Sequence, residues 1–274
     1  VIRVFAPLAV LLAAFWDAWR RCIGRALADP ESMGPLAAVA LILLVLGGRR
    51  LARGQPLRTP PLALLTALLL LYMAACAWGP PLTRTMIAAT ATLYCLHRMI
   101  WPEAPSPAFW GAALLAAPVL PSLQFYLGYP MRAASAALTV AMLQLQGLPA
   151  ERRGVMLIWG ERMLQFDAPC SGVRMLWTGL LFTLAVCLLY RFRPALVVAA
   201  VVASLAMTVL GNALRAASLF YLETGPQAKR LAAFDPSFGG WAHEAAGLVA
   251  AGLTLGATFL ILNGMAAWNR GAKA

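Results

Sequence analysis

The chain has 274 residues; 62% are hydrophobic and only 12% charged, and the mean hydropathy is +0.76. A soluble domain carries about 25% charged and about 45–50% apolar residues, so a soluble enzyme, a disordered chain, a collagen and a disulfide scaffold are excluded, and a polytopic membrane protein remains. The formal charge of +12 would suggest nucleic acid in a soluble chain; here it first raises the question of where Lys and Arg sit relative to a bilayer.

A spanning helix needs roughly 20 apolar residues at about 1.5 Å each. Eight segments are expected to span, so the fold class expected is an all-α polytopic integral membrane protein of about eight transmembrane helices. The first covers about 3–19. The second, Gly34 to Gly48, is short, and the third runs from Pro60 to Trp78. The fourth, about 81–97, is weakened by Arg84. The fifth, about 108–127, is interrupted by Pro118 and Pro121. After a less hydrophobic stretch, 128–172, come Val173 to Tyr190, about 194–214, and about 242–263. Residues 1–274 are expected to form one transmembrane domain, with chemistry concentrated in about 150–263.

With the N-terminus inside, the short inner connections hold ten basic residues: Arg3, Arg49, Arg50, Arg53, Arg58, Arg98, Arg191, Arg193, Arg270 and Lys273. Their one acidic companion is Glu103, a net +9, against +3 over far longer outer segments. Dense basic charge in short loops sets orientation and favours this assignment; Arg20, Arg21 and Arg25 in the first outer loop oppose it. Segments 128–172 and about 215–241 then lie outside. The first holds a helix at 131–146, with Arg132, Ser135, Thr139 and Gln146 on one stripe and Leu138, Met142 and Leu145 opposite. It is read as an interfacial helix or an ordinary packed one. Val155 to Trp159 and Met163 to Asp167, flanking Gly160-Glu161, predict a short β-hairpin before the sixth span.

Polar residues near spans are the informative ones, because burying them is costly. The first group is Ala168-Pro169-Cys170-Ser171-Gly172-Val173-Arg174. Cys170 precedes a helix whose N-terminal dipole favours a thiolate, and Arg174 adds positive charge. The alternatives are a nucleophile and a small buried residue; Cys76, Cys95 and Cys187, inside apolar runs, read as the latter. The second group is Gly211-Asn212-Ala213-Leu214-Arg215. Asn212 and Arg215 are three apart and share a helix face. Arg215 lies roughly 32 Å of helix beyond Pro194, where a snorkelling arginine is the competing reading. The third is Trp241-Ala242-His243-Glu244-Ala245-Ala246-Gly247. A zinc-protease helix needs a second His where Gly247 stands. With no Cys-x-x-Cys either, no metal and no cofactor are expected. Cys170 precedes an inward span, Arg215 ends an outward one and His243 begins another inward one. All three should therefore reach one outer rim, as acyl transfer requires of a nucleophile, a fixed cation and a proton carrier.

At these residues the chain resembles the exosortase/archaeosortase family of membrane cysteine transpeptidases. The resemblance rests on Cys170-Ser171-Gly172-Val173-Arg174, on Asn212 with Arg215, and on His243, and covers roughly 155–263. Pro169 stands where the family commonly has a small residue such as Ala before its cysteine. The resemblance implies an enzyme of the bacterial inner membrane with its active site on the extracytoplasmic face. Its partners would be membrane lipids and secreted proteins that end in a short motif (typically Pro-Glu-Pro), a transmembrane helix and a basic cluster; nucleic acid is not a partner. It implies Cys170 as the nucleophile forming an acyl-thioester, Arg215 as oxyanion stabiliser or proton donor, and His243 as the third catalytic member. Ser171, Arg174, Asn212 and Glu244 are candidates for orienting these or binding substrate; for Glu244 a solvated interfacial carboxylate is the competing reading. An amine acceptor would give transpeptidation and water would give hydrolysis. The rival readings are a transporter, which uses broken spans and midplane charges, and a non-catalytic membrane scaffold.

Overall fold

A computed structural model describes residues 2–28, 30–55, 57–101, 103–117, 119–160, 162–165, 172–224 and 238–271. They are mostly helical and fall into two compact units, Val1–Val119 with Cys187–Val197, and Leu120–Val186 with Val198–Ala274.

The first unit contains α1 (Ile2–Ala14), α2 (Trp16–Ala28), α3 (Pro30–Ala52), α4 (Leu62–Trp78), α5 (Pro81–Ile100) and α6 (Pro107–Ala116). The first expected span is thus two helices, broken at Phe15. Helix α5 is the hub and touches each of the other five. Small buried residues, Ala88, Ala89, Ala91 and Cys95, let its neighbours approach closely. Arg84, which weakened the fourth span, caps its neighbour. Its Nε donates to the carbonyls of Ala75 (3.1 Å) and Gly79 (3.2 Å), and Nη2 to Gly79 (3.1 Å). These oxygens close α4, where a cation is favoured by the orphan carbonyls and the dipole.

The second unit contains α7 (Leu120–Leu145), three strands, and most of α8 (Val173–Leu189), α9 (Pro194–Thr224) and α10 (Phe238–Gly271). The hairpin expected at 155–167 is a three-stranded antiparallel meander: β1 Glu151–Arg153, β2 Met156–Trp159 and β3 Arg162–Gln165. Arg153 pairs Met156 and Trp159 pairs Arg162, so each connection has two residues. Gly154 and Gly160, at φ 63 and 59, supply the left-handed backbone such tight loops need. Buried Leu157 joins the sheet to a core of Val140, Leu143, Ala216 and Phe220 from α7 and α9, and Trp159 meets Phe220 edge-on at 5.5 Å.

One expectation changes here, and one of two alternatives is favoured. No separate interfacial helix starts at 131: α7 runs unbroken from Leu120 to Leu145, and the interruption falls between Ala116 and Leu120. Pro121 sits in the first turn of α7, where a missing N–H costs nothing. The middle of the polar stripe faces inward, as the packed alternative has it, while Gln146 at its end is exposed. Ser135 and Thr139 are fully buried while Leu145 is 88% exposed, the reverse of a helix lying on water. Thr139 Oγ1 donates to the carbonyls of Ser135 (2.8 Å) and Ala213 (3.2 Å), tying α7 to α9.

The same inversion marks α9 and α10. Ser204, Thr208, Asn212, Thr254 and Thr258 are buried while Val198, Val202, Leu248, Leu253 and Leu260 are exposed, as in helices solvated by lipid. Among the described residues these helices contain the two segments long and apolar enough to cross a membrane, Pro194–Leu222 and His243–Arg270; α6 and α7 would make a third if they are one broken span. Helices α4 and α8 are apolar but have 17 residues each, about 26 Å against a core of about 30 Å. Eight spans were expected, and two to three meet that length and composition.

Helix α9 packs antiparallel on α10 through Gly211. A Cβ there would overlap Thr254 Oγ1 and lie 2.9 Å from Met175 Cε. Gly211→Ala should therefore destabilise the purified protein by about 1–3 kcal/mol, as overpacking does. Adding Thr254→Ala should recover part of the loss in thermal unfolding; a neutral single substitution would contradict this packing.

Candidate active site

Each of the three polar groups sits where a glycine lets another element come close. Gly172 opens α8: its carbonyl accepts the first intrahelical bond, from Leu176 N–H at 2.8 Å. Its φ of 72 and its contact with α9 both demand glycine. A Cβ at this position would stand 2.8 Å from Cγ and 2.9 Å from Nδ2 of Asn212. Asn212 is 2% exposed; its Nδ2 donates to Ser135 Oγ at 2.9 Å, which satisfies a polar group that would be costly to bury bare. The chain leaving the Cys170 motif is thereby fixed against α9 one turn from Arg215.

Arg215 points to a different neighbour. Its guanidinium lies over Gly247 of α10, with Cζ, Nε and Nη2 each 3.5 Å from where a Cβ would stand. Its Nε is buried without a hydrogen-bond partner among the described residues. Such an N–H is expensive to leave unpaired and cheap to offer to an incoming oxygen. His243 precedes Gly247 by one turn on the same face of α10. His243 is half-buried.

The neighbouring groove, about 520 Å³, runs between α9 and α10. Met207, Leu214 and Leu222 line it from α9, and Trp241, Val249 and Leu253 from α10, with Arg215 on its wall. From Met207 to Leu222 it follows about 22 Å of helix.

The expected residues are therefore brought together in part. Asn212 meets Gly172, and Arg215 lies over Gly247, one turn along α10 from the position of His243. Asn212 and Arg215, expected on one face, serve different contacts: the amide reaches α7 and α8, the guanidinium α10. Arg174 and Glu244 are exposed. Cys170 and Ser171 lie outside the described residues. Helix α9 does not end near Arg215 but continues to Thr224, and α10 starts at Phe238, ahead of His243. Sequence reasoning missed Ser135 as the partner of Asn212, and Gly247, noticed only as the position of an absent histidine, as the surface under Arg215.

Gly172→Ala should lower thermal stability by about 1–3 kcal/mol, combining left-handed strain with the contact on Asn212. In Gly172→Ala/Asn212→Ala the contact is removed but the strain stays, so the double variant should not regain wild-type stability. Full recovery in thermal unfolding would show that φ does not matter here.

No curated protein and no solved structure matches this chain. A family model does: that of the transmembrane exosortases (Exosortase_EpsH), over residues 7–260. That match spans both units and all three polar groups, and the chain belongs to the transmembrane exosortase family.

Proposed function

We propose that this exosortase is a membrane cysteine endopeptidase and transpeptidase whose catalytic residues are Cys170, Arg215 and His243. The observation that carries the reading is the buried, unpartnered Nε of Arg215, held over Gly247 one turn from His243. The covalent chain supplies the third member: Cys170 is two residues from Gly172, a reach of at most about 7 Å, and Gly172 is pinned to Asn212.

In the reaction, the Cys170 thiol gives its proton to the His243 imidazole, and Sγ bonds to the scissile carbonyl carbon. The carbonyl π pair moves to oxygen, where Arg215 stabilises it by a charge-assisted hydrogen bond. When that pair returns, the C–N bond breaks and the amine leaves with the proton held by His243. The acyl group stays on Cys170 as a thioester, which an acceptor amine resolves by transpeptidation. Asn212 is a positioning residue for Gly172 and the segment before it, and Ser171, Arg174 and Glu244 are assigned supporting or substrate-binding roles.

The substrates are secreted proteins with a C-terminal motif, a transmembrane helix and a basic tail. The α9–α10 groove offers apolar walls to such a helix, with Arg215 placed for the carbonyl at its outer end. The site belongs to the extracytoplasmic face of the bacterial inner membrane, in a frame of about eight spans, and the charge asymmetry supports that orientation.

The test is comparative C-terminal proteomics of the host. Cys170→Ala should accumulate uncleaved tail-bearing precursors. Arg215→Ala should slow processing by about 10²–10³-fold, the usual loss for an oxyanion donor, and His243→Ala should share the phenotype. Unchanged C-termini in Cys170→Ala would end this reading, and wild-type processing in either other variant would remove that residue from the mechanism.

A further inference from the structure

The first unit holds a second polar site, which takes no part in the chemistry above. A pocket of about 220 Å³ is lined by His97, Trp101, Glu103, Ser106, Arg191 and Phe192. His97, near the end of α5, is 6% exposed, and its Nδ1 is buried with no hydrogen-bond partner among the described residues. Aromatic neighbours hold the ring in place: Trp101 at 4.8 Å and Phe109 at 4.6 Å. An unpaired, buried imidazole nitrogen on a ring that lines a cavity is a vacancy for a polar ligand atom.

The opposite wall is strained. Arg191 closes α8 with φ 52 and is the one non-glycine residue with positive φ among those described. Its N–H donates to the Leu188 carbonyl (3.3 Å) and the Phe192 N–H to the Cys187 carbonyl (3.0 Å). This is the helix-ending motif in which the left-handed position is usually glycine. An arginine there gives up backbone comfort, and strain of this kind clusters where a side chain is needed. The guanidinium stands at the pocket, where Nη2 pairs with Glu103 Oε2 at 3.3 Å. Arg98, whose Nη1 donates to the Glu103 carbonyl at 2.7 Å, is a second cation within electrostatic reach of His97. Two arginines against one carboxylate leave the pocket net positive.

We infer that this pocket binds a phosphate ester, the headgroup of a membrane phospholipid, between Arg191 and the His97 imidazole. In the proposed orientation this end of α5 and the α8–α9 connection face the cytoplasmic leaflet, whose anionic headgroups collect in basic pockets beside membrane helices. The arginine fork matches phosphate oxygens, the imidazole supplies one further hydrogen bond, and Trp101 belongs at the headgroup level. The Glu103 carboxylate opposes the bound anion and limits its affinity.

The test uses the full chain purified in detergent, titrated with phosphatidylglycerol, diacylglycerol of the same chains, or inorganic phosphate. Native mass spectrometry and thermal unfolding are the readouts. Phosphatidylglycerol should bind and raise the unfolding midpoint, while diacylglycerol should not. Arg191→Gly relieves the left-handed strain, so it should fold at least as well as wild type yet bind about tenfold more weakly, the loss of one charge-assisted contact. His97→Phe keeps the ring packing and should weaken binding too, whereas Glu103→Gln should tighten it. A matching response to millimolar inorganic phosphate would support the phosphate site but make its source the free anion rather than lipid. Unchanged binding in Arg191→Gly and His97→Phe, or equal binding of diacylglycerol, would overturn the assignment.

Discussion

How closely other elements can approach α9 decides most of the second unit. Lipid gives no hydrophobic reward for bringing helices together, so association depends on backbone proximity and on hydrogen bonds that lipid cannot replace. Helix α9 has both. Gly211 lets Thr254 of α10 sit against its backbone, and Asn212 takes the glycine at the start of α8 on one side and Ser135 of α7 on the other. Thr139 adds a bond to the Ala213 carbonyl. Three consecutive residues thus receive α10, α8 and α7, and a wrong side chain at any of them would move a neighbour.

Arg215, the residue proposed to stabilise the oxyanion, stands on the next turn of the same helix. Arg215 is aimed away from the Asn212 contacts and toward Gly247, so the packing contacts and the residue proposed as catalytic use different sides of α9. A cation lying on a bare glycine, with one N–H buried and unpaired, is preorganised at the expense of local stability. The histidine needs no separate device, because it shares a helix face with that glycine and follows wherever α10 is docked.

Much of this was legible in the sequence, for a physical reason. Hydropathy places the centres of apolar helices well: the start of α8 at Val173 and of α9 at Pro194 fall where they were read. It places ends badly where packing continues after apolarity falls. Helix α9 runs past Arg215 because Ala216 and Phe220 are buried against α7 and the sheet. The stripe on α7 was visible, but its direction was not. Amphipathicity read against water puts Ser135 and Thr139 outside; read against lipid, the same periodicity puts them inside. The polar residues of the site announced themselves by type. Gly211 and Gly247 did not, since what a glycine permits depends on which residue of another helix arrives over it.

The central claim is a primed thiol at Cys170 beside Arg215, and its reactivity can be measured without knowing a substrate. Among the other cysteines Cys76, read as buried, is instead exposed on the apolar helix α4, so the measurement is made in a Cys76→Ala background. Cys95 and Cys187 are buried, and burial pushes the Cys22 thiol above its ordinary range despite the opposing charges of Arg25 and Arg21. With a membrane-impermeant thiol reagent at neutral pH, the account predicts one fast modification at Cys170, roughly tenfold faster than a free cysteine and lost in Cys170→Ala. Labelling at the rate of an ordinary thiol, or fast labelling that survives Cys170→Ala, would contradict it.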